Sequence, residues 1–237
     1  MTNYDLLRLR NCAVTGVASI FAIFYFGLFV LHVLLFHFPS SPEAIINTVA
    51  GVIFGFGVIL WCLSSLAYRG ISTFHGDGAA DWQRLELGGA LVLIYAATIP
   101  TVVFLFPAQP SLQIGYLCAL TIVAVGNLVD LLFAHLDAAS LHIQFPYHCV
   151  SLGLLSLVPT IHVLAGSVRG PPALAVAFGR MVVSNALAAT IYRLRLLDWM
   201  VAGSSWQPGL YVLYLVLIHS LVTYSKAILE AMASGAQ

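Results

Sequence analysis

The sequence predicts an all-α integral membrane protein, a single seven-helix transmembrane bundle. Three observations predict it. Hydrophobic residues make up 61% of the 237 positions and charged residues 8%, against about 25% charged in an ordinary soluble domain. The apolar residues gather into seven runs, each able to supply the roughly 20 residues that a helical span needs. Segments with turn chemistry separate the runs.

The first run, 11–36, follows a polar stretch ending at Arg10 and is too long for a signal-peptide core, so it reads as a true span. Pro39, Ser40, Ser41 and Pro42 close it, and the second span covers 45–68. Gly76, Asp77 and Gly78 precede the third, 87–106, and Pro107 and Pro110 precede the fourth, 113–136. Pro146 marks the break before the fifth, 147–167. Gly170, Pro171 and Pro172 introduce the sixth, 174–194, and Gly203, Ser204 and Ser205 the seventh, 208–230. There is no internal repeat and no soluble domain, so residues 1–237 form one unit.

Orientation follows from Lys and Arg. Arg8, Arg10, Arg69, Arg84, Arg193 and Arg195 fall on the side of the N-terminus, and Arg169, Arg180 and Lys226 on the other. This predicts a cytoplasmic N-terminus and a lumenal or extracellular C-terminus. A formal net charge of zero argues against nucleic acid as a partner. Cys12, Cys62, Cys118 and Cys149 lie in or beside apolar runs without CxxC spacing, so they read as packing residues.

The same side collects the polar side chains. Ser64, Ser65 and Arg69 end span two, and Glu86 opens span three. Asn127, Asp130 and His135 come from span four, His142 and His148 from the start of span five, and Tyr192, Arg195 and Asp198 from the end of span six. Asn127 and Asp130, spaced i, i+3, share a helical face, and Asp130 sits nearly two turns inside its span. A carboxyl in apolar surroundings tends to keep its proton, which suits a general acid. The plainer reading is that Asp130 hydrogen-bonds Asn127 or a neighbouring helix and locks the bundle. Glu86 at a helix mouth also complements the dipole, and Arg69 could meet headgroups. His162 reads as a core histidine, and His32 and His37 as interfacial. Tyr68, Phe74, Trp82, Trp199, Trp206, Tyr211 and Tyr214 form the aromatic belt, from which some could line a cavity and stabilise a cation.

Cys62-Leu-Ser-Ser-Leu-Ala-Tyr68-Arg69, followed by Leu85-Glu86-Leu-Gly-Gly89, resembles the adiponectin-receptor/haemolysin-III (progestin and adipoQ receptor) superfamily. There Ser-x-x-x-His ends one helix and Leu-Asp-Tyr-x-Gly opens the next. The interval from Arg69 to Glu86 matches that spacing of 17. Leu152-Gly-Leu-Leu-Ser-Leu-Val-Pro159-Thr-Ile-His162 is similar to the family's Gly-Leu-Ser-Gly-x-x-Pro-Thr-x-His, and Thr190-Ile-Tyr192-Arg-Leu-Arg195 to its Gly-Leu-Tyr-x-x-Arg. The resemblance spans helices two to seven.

It implies a zinc site built from that His and a His-x-x-x-His on the last helix. Arg69 stands at the first ligand position and Glu86 at the family's Asp. The last helix offers His219 with Thr223, or Tyr211 with Leu215 in the other alignment. A fixed positive charge at a ligand position repels a dication, so the expectation is no metal and no cofactor.

Fungal relatives in the superfamily include membrane-bound terpene cyclases of meroterpenoid pathways, and the resemblance implies such an enzyme. It would protonate the terminal epoxide or an alkene of a lipophilic prenylated substrate, in the endoplasmic reticulum. Asp130 is then expected to be the proton donor, Glu86 and Arg69 the charged pair that sets its protonation or anchors the polar head, and Asn127 or His219 the base or orienting partner. Ser65, Tyr68, His142, Tyr192 and Tyr211 are expected to bind substrate. The alternatives are a lipid- or sterol-binding receptor-like member and a zinc-dependent lipid hydrolase with altered ligands. The short tails favour an enzyme over a receptor. Oligomeric state is left open.

Overall fold

A computed structural model describes residues 3–36, 41–74, 79–133, 138–166, 171–200 and 207–234. Among them the chain is helical and contains no strand. Its helices are α1 (Asn3–Phe36), α2 (Pro42–Phe74), α3 (Ala79–Leu105), α4 (Pro110–Phe133), α5 (Ala138–Leu164), α6 (Pro172–Arg193), a short α7 (Leu196–Met200) and α8 (Pro208–Ser234). Seven of them are long and apolar enough to cross a membrane. The protein is an integral membrane helix bundle.

The helices outrun the apolar runs that predict them. α2 continues to Phe74 and α3 begins at Ala79, so Arg69 and Glu86 lie inside helices rather than at their mouths. Backbone groups must be satisfied within the helix before the chain leaves the apolar layer, and the ladder continues past the last apolar residue. Pro146, expected as a break, lies within α5 together with Pro159. Intramembrane helices tolerate proline because neighbouring helices re-satisfy the freed carbonyls. The breaks at Gly76, Asp77 and Gly78 and at Gly203, Ser204 and Ser205 lie outside the described residues.

The observed ends follow local chemistry. Ser41 Oγ accepts from the Ala44 amide at 3.2 Å and caps α2. Pro171 and Pro172 start α6, where the missing amide hydrogens have no helical partner to lose. Arg195 adopts a left-handed φ of 52° and turns the chain from α6 into α7. Asp198 Oδ1 accepts the Gly209 amide at 3.0 Å; this puts a carboxylate on the positive end of α8.

α3 is the central helix, in contact with α2, α4, α5 and α6, while α1 and α6 both flank α8. The largest core cluster is aromatic: Phe54 meets Phe26 with ring centroids 5.6 Å apart and Tyr224 at 5.2 Å, and Phe178 meets Tyr224 at 5.5 Å. The buried Tyr224 hydroxyl donates to the Ala97 carbonyl at 2.9 Å and lies 2.6 Å from Thr101 Oγ1. These bonds fall beside Pro100, which interrupts the α3 ladder.

Two glycines set how closely α2 and α3 approach. A Cβ on Gly57 would collide with Ala96, and one on Gly89 would collide with Ser64 Oγ and stand 3.3 Å from the Trp61 Cα. Small residues at such positions let membrane helices associate at backbone distance. Gly89→Val is therefore expected to destabilise the bundle by about 1–3 kcal/mol. A lowered thermal midpoint of the purified protein in detergent is the result that checks it, with Gly126→Ala, which meets open space, as the neutral control.

Candidate functional site

Three helices bring one polar cluster together next to that contact. Ser65 and Arg69, spaced i, i+4, present the same face of α2. Glu86 comes from the second turn of α3, and Tyr214 from the second turn of α8. Up-down connectivity puts all of them toward the membrane face where α1 begins.

Ser65 Oγ donates to Glu86 Oε1 at 2.7 Å. Arg69 Nη2 approaches the same oxygen at 3.4 Å, as does the Tyr214 hydroxyl. Arg69 Nε donates to the Tyr214 hydroxyl at 3.0 Å, and Ser65 Oγ and the Tyr214 hydroxyl form a short hydrogen bond. The guanidinium carbon lies 5.1 Å from the centroid of the Tyr214 ring, which is stacked on Trp61 at 5.8 Å. The Arg69 and Glu86 side chains retain 20% and 14% exposure. Every bond to the Glu86 carboxyl converges on Oε1, and among the described residues none reaches Oε2.

Asp130 is elsewhere, which corrects its sequence assignment. Leu128, Leu131 and Leu132 turn toward Gly88 of α3, leaving Asp130 on the α4–α5 flank with 56% exposure. Its Oδ2 lies 3.3 Å from His148 Nε2. His148 Nδ1 pairs with Asn127 Oδ1 at 3.1 Å, and Asn127 Nδ2 donates to Ser151 Oγ at 3.0 Å and to the His148 carbonyl at 3.2 Å. Asp130 and Asn127 therefore belong to a second cluster tying α4 to α5. The charged pair expected to set the protonation of Asp130 is therefore not beside it. The i, i+3 spacing of Asn127 and Asp130 is correct; depth along the helix does not reveal which side of it faces the bundle.

The remaining expected residues scatter. His219 faces outward on α8 and is not part of this cluster. Tyr211 donates to Asn11 Oδ1 at 2.6 Å, and Asn11 Nδ2 donates to Gln207 Oε1 at 3.0 Å; together they fasten α1 to the start of α8. Tyr192 lies outward at the end of α6, near enough to Arg69 to contribute to its field. Tyr68 is half-buried beside Arg69. The side chains of His142 and His135 lie outside the described residues.

Tyr214, assigned to the aromatic belt by sequence, is the member that was missed. Its signal is the repeat of Leu210, Tyr214, Ile218, Leu221, Ser225 and Ile228 along the buried face of α8. The two α8 positions one turn apart that turn inward near the cluster are Tyr214 and Ile218; neither aligned pair, His219 with Thr223 or Tyr211 with Leu215, does so.

The cluster does not fit a zinc ion. Its donors are one carboxylate and two hydroxyls beside a permanently charged guanidinium, whereas zinc takes imidazole, thiolate and carboxylate ligands in a tetrahedral set. Among the described residues no group of three His, Cys, Asp or Glu side chains could hold a metal.

No family model matches the chain. The chain is 26% identical over 185 residues to the heptahelical transmembrane protein ADIPOR1 of Oryza sativa subsp. japonica, covering 73% of this chain and 48% of that protein. It thus spans about half the length of the curated relative it matches. With seven membrane-spanning helices, this similarity supports a relationship to the adiponectin-receptor family.

Two outcomes check the site. Arg69→Met strands a buried carboxylate and is expected to cost about 3 kcal/mol, at the low end for a broken buried pair because both partners keep some exposure. Adding Glu86→Leu to that variant recovers much of the loss, as read by thermal unfolding in detergent. Elemental analysis of the purified protein is expected to find zinc far below one per chain.

Proposed function

We propose that the chain is an integral membrane terpene cyclase in which Glu86 delivers the proton that opens the terminal epoxide, or protonates a terminal alkene, of a prenylated lipophilic substrate. One observation carries this: the Glu86 carboxyl is held firmly by Oε1 and left open at Oε2. A donor for this chemistry must be fixed by the protein and yet keep one oxygen for the substrate.

Glu86, paired with Arg69 through Oε1, takes up a proton on the open Oε2 before turnover. Transfer of that proton to the epoxide oxygen lets the C–O bond break toward that oxygen and leaves positive charge on carbon. The π electrons of the prenyl chain then form the new carbon–carbon bond and move the charge along the chain. The Glu86 carboxylate that remains is stabilised by the hydrogen bond from Ser65 and the charge of Arg69, while the Tyr214 hydroxyl bonds to Ser65. The carboxylate is also the base within the cluster that can take a proton back when the last cation collapses to an alkene. The apolar bundle keeps water from intercepting the cation. Prenylated substrates reach such a site from the bilayer itself. The proposed setting is the endoplasmic reticulum, with the cluster on the cytoplasmic side.

A second reading, a lipid- or sterol-binding bundle without turnover, is favoured by one feature. The four polar side chains satisfy one another, and such a network can lock α2, α3 and α8 with no reaction at all.

Membranes containing the protein are expected to convert a prenyl epoxide to a cyclic product, with chelator present, as followed by mass spectrometry. Glu86→Gln is expected to lower the rate at least about 100-fold, while Asp130→Asn keeps it near wild type. Full turnover by Glu86→Gln sinks the acid assignment. Tight substrate binding by the wild type without product selects the second reading.

A further inference from the structure

At the opposite membrane face, α6 and α8 part to leave an open groove of about 480 Å³. Its floor is apolar, formed by Leu174 and Ala177 of α6 and Ala227 and Ala231 of α8, and Lys226 and Glu230 line the same groove. These two charges are spaced i, i+4, close enough to meet on one helix face, yet among the described residues neither makes an ion pair. Lys placed N-terminal to Glu is the less favourable order for such a pair. Both stand in the last turns of a helix long and apolar enough to cross a membrane, where an unpaired charge points to a partner from outside the chain.

The depth order of the charges matches a zwitterionic headgroup. α8 ends at Ser234 on this face. With a rise of 1.5 Å per residue, Glu230 lies about 6 Å and Lys226 about 12 Å below that end. The acid is therefore outermost and the ammonium deeper. In a zwitterionic phospholipid the amine is tethered beyond the phosphate, which joins the acyl chains, so the amine can stand above the phosphate. We propose that this groove binds phosphatidylethanolamine from the bilayer, with the phosphate on Lys226, the primary ammonium on Glu230 and an acyl chain along the alanine-lined floor. The ammonium brings hydrogen-bond donors to the carboxylate, and Lys226 meets the phosphate as a point charge. An anionic headgroup would satisfy Lys226 and be repelled by Glu230. This site shares no residue with the Arg69–Glu86 cluster, so its fate is independent of the cyclase proposal.

Native mass spectrometry of the full chain, released from detergent containing equimolar phosphatidylethanolamine, phosphatidylcholine and phosphatidylglycerol, tests it. The wild type is expected to retain phosphatidylethanolamine several-fold over the other two. Lys226→Ala and Glu230→Gln should each remove most of that preference, and Glu230→Lys should shift it to phosphatidylglycerol. Both side chains are outward-facing, and unchanged unfolding midpoints would show that the variants keep the fold. Equal retention of the three lipids by the wild type overturns the proposal, as does a wild-type preference for phosphatidylglycerol or an ethanolamine preference that survives both neutralising variants.

Discussion

One carboxylate oxygen, Glu86 Oε1, ties three helices together, and the bundle around it is arranged to allow that. Its partners come from α2 and α8, so α3 is held between two helices that are far apart in sequence. In an apolar layer such a group cannot be left to water, and its bonds must come from neighbouring helices. That requirement explains the close approach of α2 and α3 at Gly57 and Gly89. Without it, Ser65 and Arg69 would stand too far from α3 to reach the carboxyl.

The polar residues on this face form separate devices rather than one site. Asn11, Gln207 and Tyr211 clamp α1 to α8. Asp198 caps α8. Asp130, His148, Asn127 and Ser151 bind α4 to α5 on the outer flank. Each pairs helices whose apolar contact alone leaves rotation weakly specified, because in lipid every side of such a helix is apolar. Buried or interfacial hydrogen bonds then fix which sides meet. The Arg69–Glu86 cluster differs from the others because its central acid retains an oxygen that no described residue uses.

How much of this was legible depends on the kind of signal involved. The number and order of spans follow from counting apolar residues against bilayer thickness, and the pairing of Arg69 with Glu86 follows from an interval that survives comparison with a family pattern. Helix faces were not legible. α8 buries Ser220 and Ser225 and exposes Leu215, so hydropathy blurs which residues turn inward, and Tyr214 passed for an interfacial aromatic. Asp130 illustrates the same gap, since depth along α4 was readable while its rotation toward α5 was not. Pro146 misled for a different reason, because the rule that proline ends helices weakens where neighbouring helices supply the lost bonds.

The position of Arg69 shows how side chains alone can hold positive charge between these helices. A metal site on α2, α3 and α8 would place positive charge among those helices, with polar groups turned toward it. An arginine also places positive charge between the helices, but one that is covalent and permanent, with five donors in a rigid fork. The hydroxyls of Ser65 and Tyr214 complete its surroundings, and Glu86 balances its charge. The electrostatic demand that holds three helices together is thus met by side chains alone. The Glu86 carboxyl answers the Arg69 charge through Oε1 and keeps Oε2 outside the network of described side chains.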